Sequence, residues 1–396
     1  MIEQQGKQHT LSYLLRRSGV WLLWGVAMLL AAPYFLMPYY TFPGPQPFAG
    51  TVWHNPYAGS SGQWLKSNFH LHAKAYGGLT DGNTVAHEID SVYSGLGYDI
   101  VALSNYFSID SLPQFSRFVY VPCYEHGFSI QKSHRLVIGA KEVDMLDAVL
   151  PQTVHIKQFL FNRLAPTCDV LVMAHPSFGL PSYTYGDMKK LGGYHCVEVL
   201  NHYRNSSAHW DSALSNGRAV WLIANDDSHD AHNRGETGVC WTMINAHGRS
   251  RTAVMSALRS GTTYGVHSEQ NRADIALNAV RIVGDTLVIE CDSTFAECAF
   301  IGQGGTHRQR DTSASTARYI LQPGDTYIRA VIRTSLCELY TNPVIRTRTG
   351  TPEQRTAEPD IPFSIFMWCV YILLFCASWY WIHHRATFQR QHTSSV

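Results

Sequence analysis

Residues 219–229 read AVWLIANDDSH: an apolar run that ends in two acids and an imidazole. The same pattern recurs. Ser67-Asn68-Phe69 leads into His70-Leu71-His72, and Asp99-Ile-Val-Ala-Leu103 leads into Ser104-Asn105-Tyr106. Phe118-Val-Tyr-Val-Pro122 leads to Glu125, and Asp169-Val-Leu-Val-Met-Ala174 leads to His175-Pro176. Short apolar runs of this kind read as buried strands. The strand candidates are 68–72, 98–104, 118–124, 135–140, 169–174, 195–200 and 219–224, and the helix candidates are 84–96, 153–164, 207–215 and 251–259. Their alternation from about Asn68 to Gly261 predicts an α/β fold with a parallel sheet, open or closed into a barrel. In a (β/α) barrel the carboxyl ends of the strands converge on one face, where active sites sit. Here those ends carry His, Glu and Asp.

Outward from that segment the chain changes character. Residues 272–348 hold short β runs (DTLVIECDS, CAFIGQGG, ARYILQPG, YIRAVIRTS) separated by Gly, Pro, Asp and Ser, which predicts a small antiparallel β-sandwich. Residues 41–66 and 349–360 read as linkers, rich in Pro, Gly, Ser or Thr. Beyond them lie 22 uncharged residues at 19–40 and another 22 at 361–382, each with Trp and Tyr near its ends. About 20 apolar residues suffice to cross the bilayer as a helix, and interfacial aromatics mark such spans. The first run is longer than the apolar core of a cleavable signal and lacks a small-residue cleavage pattern, so it is expected to stay as an anchor.

Charge sets the expected orientation. The tails 1–18 and 383–396 carry +2 each, against +1 for the whole chain, which leaves −3 for the rest. After the first span no Lys or Arg occurs until Lys66. The bias predicts cytoplasmic tails and a central region, 41–360, outside a bacterial inner membrane, on the periplasmic side. Arg346, Arg348 and Arg355 run against it locally. The near balance of 31 basic and 30 acidic residues excludes a nucleic-acid binder working by bulk charge. No CxxC is present among nine cysteines, so a zinc ribbon is not expected, although an exported domain could form one or two disulfides. No GxSxG, Walker A or GxGxxG occurs.

Histidine is abundant, at 20 copies. On a strand, His70 and His72 point to one face and can reach one ion. One such HxH is expected by chance at roughly this frequency. The signal lies in the set: His70 and His72, Glu125, His134, His175, and Asp227 with His229. Imidazole with carboxylate suits Zn, Mn or Fe, and Glu125 could bridge two ions. A bridged pair makes water acidic enough to attack near neutral pH and polarises a phosphoryl or carbonyl oxygen. Asp226 stands beside Asp227, and the spacing to His229 favours Asp227. His87, His126, His195 and His202 have no motif role.

Four segments, in order, resemble the polymerase-and-histidinol-phosphatase (PHP) superfamily of metal-dependent hydrolases, over about residues 67–265: NFHLHAKAYGGLTDG, VPCYEHGF with KSHRLVIGAKE, VLVMAHP, and ANDDSHD. The trailing β region, TYIRAVIRTS…LYTNPV, resembles the C-terminal module of a branch that includes carbamate-ester hydrolases. The resemblance implies a distorted (β/α)7 TIM-like barrel. It implies one ion on His70, His72, Glu125 and Asp227, a second on Glu125, His134 and His175, and a third on Asp81 and His229. Two departures bear on the third. Ser104-Asn105-Tyr106 replaces the family's Thr-Asp-His, and the stretch from His72 to Asp81 is longer than usual. Two ions are expected to be held firmly, with the third position weak or empty. Glu125, Asp227 and His229 are the expected catalytic residues. Tyr106, Arg135 and Arg234 are candidate substrate contacts, the arginines through bidentate hydrogen bonds to an anion. The expected function is a membrane-anchored metal-dependent hydrolase that uses a metal-bridging hydroxide on an envelope or lipid-linked phosphoester; the expected partners are such a small-molecule or lipid-linked ester and the membrane, with no nucleic acid. The alternatives are a carboxylic or carbamate ester hydrolase, and an inactive metal-binding receptor or assembly subunit.

Overall fold

The computed structural model of the chain describes residues 2–113, 116–179, 182–269 and 271–393. It is a mixed α/β structure with two long terminal helices, α1 (Ile2–Leu36) and α7 (Ile361–Thr393). After α1 come β1 (Tyr40–Thr41) and β2 (Val52–His54), then β3 (Gln63–Asn68), α2 (Ala86–Gly95) and β4 (Ile100–Val101). Next are β5 (Cys123–His126), β6 (Arg135–Ile138), α3 (Val154–Leu164), β7 (Val170–Met173), α4 (Tyr185–Lys190), β8 (Cys196–Leu200), α5 (Ser207–Leu214) and β9 (Trp221–Ala224). The segment closes with β10 (Cys240–Ala246), α6 (Arg251–Ser260) and β11 (Thr263–His267). Four expected helices thus form close to their expected bounds. Helix α3 is capped by Thr153, which accepts from the Ile156 amide, and α6 by Ser250 at its start and left-handed Gly261 at its end. Within 41–66, read from sequence as a linker, β2 and β3 are paired strands.

Strands β5 to β9 form one five-stranded sheet in sequence order, and every residue of these strands is buried. A larger sheet begins β4-β3-β10-β11 and continues into the C-terminal strands described below. The pairing departs from the expected parallel sheet. Among the described strand pairs, only β3/β4, β7/β8 and β8/β9 are parallel, while β5/β6, β6/β7, β3/β10 and β10/β11 are antiparallel. For β5/β6 the cause is the connection, since the residues between them are too few for the dozen or so that a parallel crossover needs.

The two ladders do not close into one barrel. They touch at isolated backbone bridges just beyond the carboxyl ends of β3, β4 and β9. Glu125 N donates to Ser104 O at 3.0 Å, Asp227 N to His70 O at 2.9 Å and His72 N to Ser228 O at 2.9 Å. Leu65, Phe69 and Ile100 of one sheet and Leu136, Val172 and Leu222 of the other share one apolar core.

The C-terminal β region comprises β12 (Leu277–Val283), β13 (Thr286–Gly302), β14 (Thr306–Ile320), β15 (Tyr327–Arg333), β16 (Glu338–Thr341) and β17 (Val344–Thr347). Its strands are antiparallel, as expected, but they extend the sheet that holds β3, β4, β10 and β11: β16 pairs with β11 from Tyr264↔Thr341 to His267↔Glu338. β13 and β14 form a long hairpin of 17 and 15 residues, where the sequence suggested several short runs. All nine cysteines are thiols.

Helices α1 and α7 each contain a stretch long and apolar enough to cross a membrane, Ser18–Leu36 and Ile361–His383, with 0% and 6% of it buried. Burial this low separates them from core helices. They lie against each other through Trp21 and Trp379 (ring centroids 6.2 Å apart), Trp24 and Phe375 (5.0 Å), and Phe35 and Tyr371 (4.8 Å). At their shared end β1 pairs with β18 (Glu358–Pro359), and Tyr39 N donates to Ser364 Oγ at 2.8 Å. Tyr40 N donates to His155 Nδ1 at 3.0 Å, and Met37 packs on Ala148, Ile156 and Leu160, which seats the globular part on the helix end.

Candidate metal centre

The segment Phe69–Ala73 runs extended between two others that fix it. Leu71 N donates to Ser104 Oγ at 3.0 Å and Ala73 N to Asn105 Oδ1 at 2.8 Å. On its other side lie the backbone bonds to residues 227 and 228. Ser104 and Asn105 therefore act as backbone supports. Tyr106 takes the third place of that triplet and stacks on His72, at 4.7 Å and 29°.

Glu125 is the hub. Its Oε1 lies 2.6 Å from His134 Nδ1, 3.2 Å from His175 Nε2 and 3.4 Å from His70 Nε2, and its Oε2 lies 3.2 Å from His72 Nε2. Asp227 Oδ1 lies 3.1 Å from His70 Nε2 and 3.4 Å from His72 Nε2. His229 stacks on His72 at 4.3 Å, and its Nε2 is 3.3 Å from Asp81 Oδ2, on an exposed side chain. The structure thus gathers His70, His72, Glu125, His134, His175 and Asp227 in one buried cluster, with Asp81 and His229 at its rim. Two members have left-handed backbone, His175 (φ 25°) and Asp227 (φ 55°). Non-glycine residues seldom adopt it, and such strain concentrates at functional sites.

Three placements refine the sequence expectations. Asp226 points away from the cluster and is fully enclosed by donors. Val239 N, Cys240 N and Gly238 N lie 2.8, 2.9 and 2.9 Å from its oxygens, with Asn68 Nδ2 and Tyr93 Oη each at 2.8 Å. Arg135 does not reach the cluster, in contrast to its expected role as an anion contact. Successive strand residues face opposite ways, so with His134 facing the site Arg135 enters the core. There it donates to Ser133 O and Gln152 Oε1, both at 2.9 Å, and lies 5.1 Å from the Phe161 ring centroid. Arg234 is exposed on the loop that follows His229. Of the histidines without a motif role, His87 is exposed, His126 binds Leu146 O through Nε2 at 3.0 Å, His195 Nδ1 accepts from Leu171 N, and His202 pairs with Asp226 O.

Glu198 has no counterpart in the sequence analysis. It is buried in β8, and its Oε1 lies 2.9 Å from His70 Nδ1 and 2.9 Å from Asn225 Nδ2, while its Oε2 accepts from His175 N at 3.1 Å. A carboxylate that holds the far nitrogen of an imidazole fixes the ring and its tautomer, leaving Nε2 free for an ion. The available signal was a glutamate between two valines in an otherwise apolar strand.

The cluster fits divalent ions. His70 Nε2, His72 Nε2, Glu125 Oε2 and His175 Nδ1 are buried without a hydrogen-bond partner, a costly arrangement for groups that nothing binds. Ligands about 2.0–2.1 Å from a tetrahedral ion stand ~3.3 Å from one another, close to the separations of 3.1–3.4 Å between the Nε2 atoms of His70, His72 and His175 and the facing oxygens of Glu125 and Asp227. The triads His70–His72–Glu125, Glu125–His134–His175, His70–His175–Glu198 and His72–Asp227–His229 each bring one donor atom per residue within 4.8 Å of the others.

The charges agree. Burial alone favours a neutral Glu125, but the imidazoles of His134 and His70 outweigh it and hold the carboxyl well below the usual range. Asp227 is likewise lowered against its burial, by His70 and His72. Burial lowers His72, but Asp227 and Glu125 overcome this and raise it to about 8. His70 and His175 are raised in the same way. For His134 and His229 burial prevails and the shift is downward.

No known family profile matches the chain, and no curated protein is similar to it. Among solved structures, a two-domain protein from Bacteroides vulgatus, described as containing a predicted PHP-like metal-dependent phosphoesterase, aligns at 13% identity and a TM-score of 0.40 over 81% of this chain and 99% of its own.

Proposed function

We propose that the chain is a metal-dependent hydrolase of the PHP type, acting on a phosphoester and anchored in a membrane by α1 and α7. The observation that carries this is Glu125, a buried carboxylate within 3.4 Å of four imidazole nitrogens. That is the geometry of a bridging ligand. One ion would be held by His70, His72, Glu125 and Asp227, and a second by Glu125, His134 and His175, with Asp81 and His229 as a looser third position. Divalent ions bound there supply a Lewis acid and lower the pKa of water to near neutrality. Glu198 and Ser104 hold the His70–His72 segment in place. Tyr106 covers the His72 face and limits water on that side. His229, kept neutral by burial and by neighbouring His72, can move a proton at the rim through Nε2. Arg234 can meet the non-reacting oxygens of an anionic ester. In fold terms we read β3 to β9, the seven strands whose ends gather the cluster, as a distorted (β/α)7 barrel left open between its two ladders.

The membrane reading rests on the exposed apolar surface of both helices, including Leu22, Leu29, Leu373 and Trp381, since soluble monomers rarely leave so large a patch bare. The charge bias of the tails favours an extracytoplasmic catalytic part. The test is elemental analysis of detergent-purified protein, wild type against Glu125→Gln, with hydrolysis of bis-p-nitrophenyl phosphate, p-nitrophenyl phosphate and p-nitrophenyl acetate. Metal content and phosphoester turnover should fall together in the variant. Turnover of the acetate alone would move the assignment to carboxylic esters. Full metal loading with no turnover of any ester would favour a receptor.

A further inference from the structure

The strand that carries Glu125 continues into a loop that meets a second loop, and the two are stapled along their length. His126 Nε2 lies 3.0 Å from Leu146 O, Phe128 N donates to Asp147 Oδ2 at 2.8 Å, and Ile130 N donates to Val149 O at 2.8 Å. Gln152 Nε2 donates to Asp147 Oδ1 at 2.6 Å, and Gln152 N to Gln131 Oε1 at 3.0 Å. This rigid pair displays apolar side chains outward: Phe128, Ile130, Met145, Leu146 and Leu150 are 45, 62, 65, 39 and 38% exposed. Turn loops are ordinarily polar, and a cluster of this kind marks a contact surface.

Its position names the contact. Ala148, in the middle of the second loop, is buried against Met37 and Tyr34 at the exit of the first apolar stretch. The same loop therefore touches the end of the span with one side chain and exposes Met145, Leu146 and Leu150 within a few residues of it. Lys132, exposed at the tip of the first loop, suits an anionic head group. The patch is also close to the metal cluster. At no more than ~3.6 Å per residue, Ile130 lies within about 18 Å of Glu125 along the chain. Phe107 links the two: its amide donates to Glu125 O at 3.0 Å, and its ring lies 5.2 Å from that of Phe128.

We propose that these loops, 126–132 and 143–150, form an apolar foot that rests in the outer leaflet beside α1 and passes an amphiphilic ester, polar end first, to the metal cluster. The substrate class rests on the hydrolase reading above; the bilayer contact does not. The test uses the full-length protein reconstituted in phosphatidylethanolamine–phosphatidylglycerol vesicles. In a Cys369→Ala, Cys376→Ala background, the environment-sensitive dye NBD is placed on Ile130→Cys, or on Ser313→Cys in the β13/β14 hairpin as a control. Emission at 130 should shift to the blue and be quenched by brominated lipid, while emission at 313 should not. An unshifted signal at 130 overturns the foot. Turnover is then compared for ethyl and hexadecyl p-nitrophenyl phosphate. The wild type should favour the hexadecyl ester at least tenfold, and Ile130→Ser/Met145→Ser/Leu150→Ser should lose that preference with the ethyl rate unchanged. A retained preference overturns the substrate route. If neither ester is cleaved, the hydrolase reading fails while the dye still decides the membrane contact.

Discussion

Replacing Glu198 by Gln is the most discriminating change, because it keeps shape and removes one charge and one acceptor. All three bonds to Glu198 come from donors: His70 Nδ1 and Asn225 Nδ2 on Oε1, and His175 N on Oε2. A glutamine offers one oxygen and one NH2. If the oxygen serves His70 and Asn225, the NH2 faces the His175 amide; if it serves that amide, His70 and Asn225 lose their acceptor. Either way at least one buried donor is left unpaired, at a cost of about 1–3 kcal/mol. The ring of His70 also loses its charged partner, and changes of this kind lower metal affinity ~10–100-fold, or about 1.4–2.7 kcal/mol of binding. Urea denaturation of chelator-stripped protein measures the first effect, and calorimetric titration with Mn or Zn measures the second. Lost stability with metal affinity within twofold of wild type would make Glu198 merely structural and would refute its role in aiming His70.

Three further outcomes are expected. In metal-free protein His72 is raised from its usual 6.5 to about 8, so its pairing with Asp227 and Glu125 contributes about 2 kcal/mol that is fully present below pH 6.5 and lost as pH rises through about 8; denaturation at pH 6 to 9 checks the sign. Ions must displace that proton, so metal affinity should climb with pH up to about 8 and then level off, as titrations at matched ionic strength would show. Asp226→Asn should cost about 2–6 kcal/mol, since either orientation of the amide leaves two or more of the donors around it unpaired. The folded fraction of that variant should still bind metal, whereas Asp227→Asn should stay folded and lose metal, which differential scanning with elemental analysis separates.

Much of the centre was legible because its chemistry sits at strand ends. An apolar run that stops at His, Glu or Asp declares both a buried strand and a polar destination, and the structure does bring His70, Glu125, His134, His175 and Asp227 together. What was illegible depended on partners. Glu198 lies inside a strand, and nothing local reveals that its neighbour is His70. Arg135 adjoins His134 in sequence but faces the opposite way, a consequence of strand pleating that the anion reading overlooked. The choice between Asp226 and Asp227 is settled by three amides twelve to fourteen residues downstream. Sheet order was the least accessible part: a helix between two strands permits a parallel crossover without enforcing one, and β6/β7 and β10/β11 are antiparallel despite α3 and α6 between them.

The pairing of β1 with β18, beside the bond from Tyr39 to Ser364, makes both ends of the globular part leave through one doorway. A body strung between two distant anchors could swing like a hammock. If both helices span a bilayer, as proposed above, one held by a single paired stem would keep the same underside downward however it spins about the stem's axis. A cut in the return strand anywhere between residues 349 and 357 would leave the head moored by α1. On the membrane reading proposed above, release into solution would take a second cut, between α1 and the globular part.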